Sequence, residues 1–77
     1  MTTFEKVQNI LVEQLEVNAS QVVLTAEVVK DLGGDSLDFV EIGMAIEDEF
    51  NVEVEEDEYK DLKTVNDLVT LVDAKLA

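Results

Sequence analysis

The sequence predicts an all-α protein: a small antiparallel bundle of three main helices plus one short helix, with a long ordered first loop. Three observations predict it. Apolar residues recur at three- and four-residue spacing in three separate stretches. Each of these stretches opens on a residue suited to capping a helix. Between them lie breaker clusters, and no alternating run is long enough for a sheet.

Thr2-Thr3-Phe4-Glu5 reads as a capping box, with a hydroxyl at the N-cap and a carboxylate three residues on. The helix that follows carries Phe4, Val7, Leu11 and Leu15 on one core-facing stripe, with Glu5, Glu13 and Glu16 outside. It ends near Leu15 or Val17, before Asn18-Ala19-Ser20. Ser20 to Gly34 is a long connection rich in Val and Leu. Such a loop is expected to pack on the bundle and to carry a short helical turn; a hairpin through its Val residues is the competing reading. Gly33-Gly34 breaks the chain, and Asp35 follows as an N-cap. A second helix runs from Ser36 or Leu37 to about Phe50. Asp57 to Leu62 suits a short helix. Thr64 caps the last helix with Asp67 at its third position, and Val65, Leu68, Val69, Val72 and Leu76 form its core stripe.

The second helix has two apolar faces. At about 100° per residue, Phe39, Ile42, Gly43, Ile46 and Phe50 gather on one side, the core face. Leu37, Val40 and Met44 gather on nearly the opposite side, flanked by Asp38, Glu41, Glu47 and Asp48. A surface helix requires only one apolar stripe. A second one ringed by charge reads as a binding face, and Met adapts to varied partners. The bland reading is that the long loop covers Leu37 or Val40.

Composition narrows the function. Seventy-seven residues make one domain, residues 1–77. A chain of this length buries roughly 60% of the surface that its unfolded form exposes. With no Cys and no His, it holds neither disulfides nor a thiolate metal site. Nineteen acids face five lysines, for a net charge of -14. From Asp31 to Tyr59 there are twelve acids and no lysine, so the charge is concentrated rather than spread. Nucleic acid and anionic membranes would be repelled, whereas basic protein surfaces would be attracted. Like charge disfavours self-association, so a monomer is expected. No signal peptide, membrane-spanning run or lipidation motif is present, and the cytoplasm is the default compartment.

The same inventory excludes most catalysis. Ser-His-Asp and Cys-His sites cannot exist. A carboxylate pair for glycoside hydrolysis requires a cleft that a bundle of this size hardly provides. A calcium loop aligned from Asp31 places Ser36 where Gly is required and Ile42 where Glu is required. Weak calcium binding at Glu47, Asp48, Glu49 and Glu53 stays open. What remains is Ser36, where a Gly-Gly turn meets a helix start. Its hydroxyl is either a site for covalent modification or no more than a cap or first-turn residue.

Asp31-Leu32-Gly33-Gly34-Asp35-Ser36-Leu37-Asp38 resembles the phosphopantetheine attachment motif of acyl carrier proteins. Val40-Glu41, Met44-Ala45, Ile46-Glu47 and Glu49-Phe50 resemble that family's recognition helix. The resemblance covers the whole chain in length, acidity, helix order and long first loop. Two positions depart from it: Gly34, where the family usually has Ala, and Gly43, where a branched aliphatic is usual.

The resemblance implies a non-catalytic carrier. A phosphopantetheinyl transferase would move 4'-phosphopantetheine from coenzyme A to Ser36, and the arm's thiol would carry acyl chains among fatty acid synthesis enzymes. It implies that Asp35, Leu37, Asp38, Glu41, Met44, Glu47 and Asp48, with Val40 on the same face, meet basic and apolar patches on those partners. A Val- and Leu-rich core is expected to open for the acyl chain, with Gly43 enlarging the cavity beneath the second helix. Carriers for polyketide, lipid A, lipoate or D-alanyl transfer share the motif. An unmodified acidic interaction or calcium-binding module is the rival from another class. If self-repulsion limits stability, added salt or millimolar calcium raises the melting temperature. Thermal melts by circular dichroism across ionic strength check this; an unchanged midpoint would show that repulsion is not limiting.

Overall fold

The structure is a computed structural model that describes residues 2–59 and 62–77, with the backbone alone of Ser36 and Glu56. Four α-helices carry the chain: α1 (Thr3–Leu15), α2 (Ser36–Phe50), α3 (Glu56–Tyr59) and α4 (Val65–Leu76). A single 3₁₀ turn, Ala19–Gln21, follows α1. No strand forms among the described residues, where Glu27 and Thr64 make one isolated antiparallel bridge. The chain is all-α, as the sequence predicts.

The long helices start where their capping signals lie. The Thr2 hydroxyl accepts from the Glu5 amide at 3.1 Å, and the Glu5 carboxylate accepts from the Thr2 amide at 3.0 Å. Asp35 with Asp38, and Thr64 with Asp67, repeat the same reciprocal pair at α2 and α4. Each box satisfies two backbone amides that a helix start would otherwise leave unpaired. α1 and α2 both stop on a left-handed residue, Glu16 at φ 55° and Asn51 at φ 55°. Asn tolerates that conformation; Glu16 takes it where Gly or Asn is usual.

Val7 and Leu11 of α1, Ile42 and Ile46 of α2, and Val65, Leu68 and Val72 of α4 are buried together. Burial of such side chains is worth roughly 1.5–3 kcal/mol each. Phe4, Leu15, Phe39, Phe50 and Val69 are half-buried around them. Leu76, expected in the core stripe of α4, is 50% exposed: the last turn runs past the surface that the other helices cover. Leu71 instead lies half-buried against the core.

The connection from α1 to α2 is ordered by specific bonds. Gln8 Nε2 donates to the carbonyls of Ala19 and Val22, at 2.9 and 3.2 Å. The Val28 amide donates to the Lys63 carbonyl at 3.0 Å, and the Val65 and Asn66 amides donate back to Ala26 and Leu24. No hairpin forms, because this backbone pairs with the entry to α4 instead. Val22, Ala26, Val28 and Leu32 are buried anchors, while Val23, Leu24 and Val29 stay exposed. The short helix α3 begins one residue before the expected start at Asp57. Beyond Tyr59 the expected span runs onto Lys60 and Asp61, which lie outside the described residues.

The Asp67 carboxylate accepts from the amides of Lys63 and Thr64 at 2.9 and 3.0 Å. Bonding to the Thr64 and Lys63 backbone holds its pKa below the ordinary aspartate range. A lowered value in the folded state means that the unfolded chain binds the proton more readily as pH falls. The stabilisation is therefore full at pH 7 and is lost below about pH 4. Asp67→Asn is expected to lose about 0.3–1 kcal/mol at pH 7 in urea melts. The gap to the parent protein should close near pH 3, on the order of the aspartate value.

Candidate functional site

The candidate site is built by a turn, a cap and a helix start. Leu32 is buried and anchors the approach. Gly33 takes φ +76°, a conformation that strains any residue with a Cβ. The Gly33 and Gly34 amides donate to the carbonyls of Val29 and Val28 at 3.1 and 2.9 Å, which closes the turn. Asp35 then caps α2: its carboxylate accepts from the Asp38 amide, and the Asp38 carboxylate accepts from the Asp35 amide, both at 3.0 Å. The cap is thus supplied by Asp35, and capping gives no reason for a serine at the next position. Ser36 is the first helical residue, and its side chain lies outside the described atoms.

Asp35 and Leu37 on either side of Ser36 are both exposed, Leu37 at 68%. The residues on both sides of the helix start are thus open to solvent. The residues present fit a covalent phosphodiester on a serine, which requires a hydroxyl in an accessible place and no metal or thiolate ligands.

From this start α2 displays the two faces expected of it. Leu37, Val40 and Met44 are exposed, at 68%, 44% and 59%. The long loop does not bury Leu37 or Val40. Glu41 and Asp48 are exposed beside the stripe, while Asp38 and Glu47 are half-buried. Asp38 is engaged in the cap, and Glu47 accepts from the Val54 amide at 3.1 Å. Glu41 accepts from Gln14 Nε2, a contact to α1 that the sequence did not suggest. Among the described residues no lysine pairs with a carboxylate of α2. The ion pairs there join Lys63 to Glu27 at 3.9 Å and Lys75 to Glu58 at 2.9 Å. The acid-flanked stripe therefore keeps its negative field. No group of three or more acids comes together as a cation site among the described residues.

The expected cavity beneath Gly43 is not there. Gly43 is buried, and a Cβ added to it would overlap the hydroxyl and ring of Tyr59. The aromatic side chain of α3 has taken the space that the glycine leaves. Two sequence signals were available for this contact: a glycine inside a helix and a lone tyrosine ending a short one.

Known proteins share this architecture. Residues 5–72 match the family described as the phosphopantetheine attachment site. An acyl carrier protein of Helicobacter acinonychis (strain Sheeba) is 47% identical over 78 aligned positions, covering 100% of both chains. One of Helicobacter pylori (strain J99) has the same identity and coverage, 47% and 100%. One of Helicobacter hepaticus is 43% identical, covering 96% of this chain and 97% of its own. A solved structure described as an acyl carrier protein of Mycobacterium tuberculosis matches with a TM-score of 0.88 at 26% identity, over 95% of this chain and 97% of that one.

The two faces of α2 are separable by stability. Ile42→Ala should cost about 2–5 kcal/mol in urea denaturation. Met44→Ala should cost less than about 0.5 kcal/mol. Equal losses would show that both faces are packed.

Proposed function

The chain belongs to the acyl carrier protein family, and from that premise we propose that Ser36 is the residue that bears its arm. It is a carrier protein and not an enzyme, and its cofactor is covalently attached 4'-phosphopantetheine. The group supplies a terminal thiol on which acyl chains are held as thioesters. With no Cys in the chain, no protein thiol competes with it. Residues 1–77 act as one carrier domain, monomeric and cytoplasmic, serving fatty acid synthesis. No helix among the described residues is long and apolar enough to cross a membrane.

The observation that carries this reading is the helix start. Asp35 caps α2 and its flank is open, so a transferase can close around the next residue. Asp35, Leu37, Asp38, Val40, Glu41, Met44, Glu47 and Asp48 then form the surface that partners read. Exposed acids around an apolar centre draw a basic rim to themselves at high rate. A small apolar contact lets the partner leave again. That combination suits an arm that must visit several enzymes in turn.

Incubation with coenzyme A and a phosphopantetheinyl transferase, followed by intact mass measurement, tests the assignment. One phosphopantetheine should add to the parent protein and none to Ser36→Ala. Addition to the variant would move the site elsewhere. No addition to the parent, with a transferase active on another carrier, would remove the assignment altogether.

A further inference from the structure

Ser36 is approached through Gly33-Gly34, a pair with little stiffness of its own, because glycine loses the most conformational freedom on being ordered. The transfer proposed for Ser36 is exacting in geometry. Its oxygen forms a bond to the phosphorus that bears pantetheine in coenzyme A, and that phosphorus loses its bond to the bridging oxygen. Adenosine bisphosphate leaves with the electron pair, and a base of the transferase takes the hydroxyl proton. An attacking oxygen displaced by about 1 Å loses much of the rate of such a step. The rigidity of the approach therefore has to come from the residues before the glycines.

Those residues form a turn pinned at Glu27. The Glu27 carbonyl accepts from the Asp31 and Leu32 amides at 2.9 and 3.2 Å. The Glu27 amide donates to the Asp31 carboxylate at 2.8 Å. Glu27 is fixed in turn to the entry of α4. It bridges Thr64, the Val28 amide donates to the Lys63 carbonyl at 3.0 Å, and the Val65 amide donates to the Ala26 carbonyl at 2.9 Å. Gly34 is buried, and a Cβ added there would lie 3.1 Å from the Val28 side chain and 3.2 Å from its carbonyl. The chain just before the cap of α2 thus rests directly on this turn. A line of contacts runs from the entry of α4 through Glu27 and Val28 to Gly34.

One hydrogen bond in that line comes from a side chain, that of Asp31. Val28 and Val29 inside the turn are β-branched and favour extended backbone, so the turn is not secured by propensity. Asp31 is exposed, and among the described residues it pairs with no lysine. Its carboxylate is directed to the Glu27 amide instead. We propose that Asp31 is a positioning residue for phosphopantetheine transfer: it closes the turn that holds Gly33-Gly34, and through them Ser36, in place for the transferase. The inference rests on Ser36 as the attachment residue.

The test is the steady-state rate of transfer from saturating coenzyme A to the parent protein, Asp31→Ala and Asp31→Asn, with folding verified by circular dichroism. Asp31→Ala should lower kcat on the order of tenfold and leave KM for the carrier unchanged, because the docking face of α2 is intact. Asp31→Asn keeps a side-chain oxygen that accepts from the Glu27 amide, and it should keep the parent kcat. An unchanged kcat in Asp31→Ala would overturn the proposal. A raised KM with unchanged kcat in both variants would overturn it too, since Asp31 would then be a docking charge. An equal fall of kcat in both would make the charge, not the hydrogen bond, the requirement, and would also overturn it. Amide hydrogen exchange of the parent protein decides independently of how well any variant folds. The Glu27 and Gly34 amides should be protected, and a Glu27 amide that exchanges as in an unfolded chain would overturn the proposal. No transfer to the parent protein would overturn the Ser36 assignment as well, and the intact mass alone would show it.

Discussion

The reciprocal hydrogen bonds between Asp35 and Asp38 fix the register of α2, and most of what the molecule does depends on that register. A helix that begins at Ser36 turns Ile42 and Ile46 into the core and Leu37, Val40 and Met44 out of it. It sets Gly43 against α3. Moving the start by one residue would rotate the helix by about 100° and break all three relations together. The Gly33-Gly34 turn serves the same end, since it delivers Asp35 to the cap in extended conformation.

Charge pulls against packing throughout. A core of Val, Leu and Ile binds the helices without direction, whereas a net charge of -14 drives them apart. Among the described residues, no lysine pairs with an acid of α2 to relieve this strain. Lys75 goes to Glu58, Lys63 to Glu27, and Lys6 lies 5.5 Å from the centre of the Phe50 ring. The two half-buried acids of the surface are partnered with backbone amides, which leaves their negative charge in place. A surface intended only for solubility would gain from mixed signs; one that attracts basic partners would lose by them.

Local patterns in the sequence were legible because they act over three or four residues. The caps at Thr2, Asp35 and Thr64, and the two faces of α2, follow from spacing alone. What escaped depends on contacts between distant parts. Leu76 continues the stripe of α4 but runs beyond its neighbours. The Val run after the first helix looks strand-like, yet its partner is the start of α4. Gly43 announced missing volume, but only the fold could say that Tyr59 fills it. The cap at Asp35 was legible in the same way, and it leaves Ser36 as the first helical residue.

The three capping boxes have one more consequence. Each closes a helix start with partners three residues apart, and at α4 the loop carbonyls of Ala26 and Leu24 add to the closure. Helix nucleation is the slow and unfavourable part of forming a helix, and here it is assisted locally three times. Loosening of the tertiary packing therefore leaves nascent helices behind, each able to regrow in about a microsecond. A start that is closed locally lowers the cost of the first turn, so less of each helix's formation has to be supplied by the core.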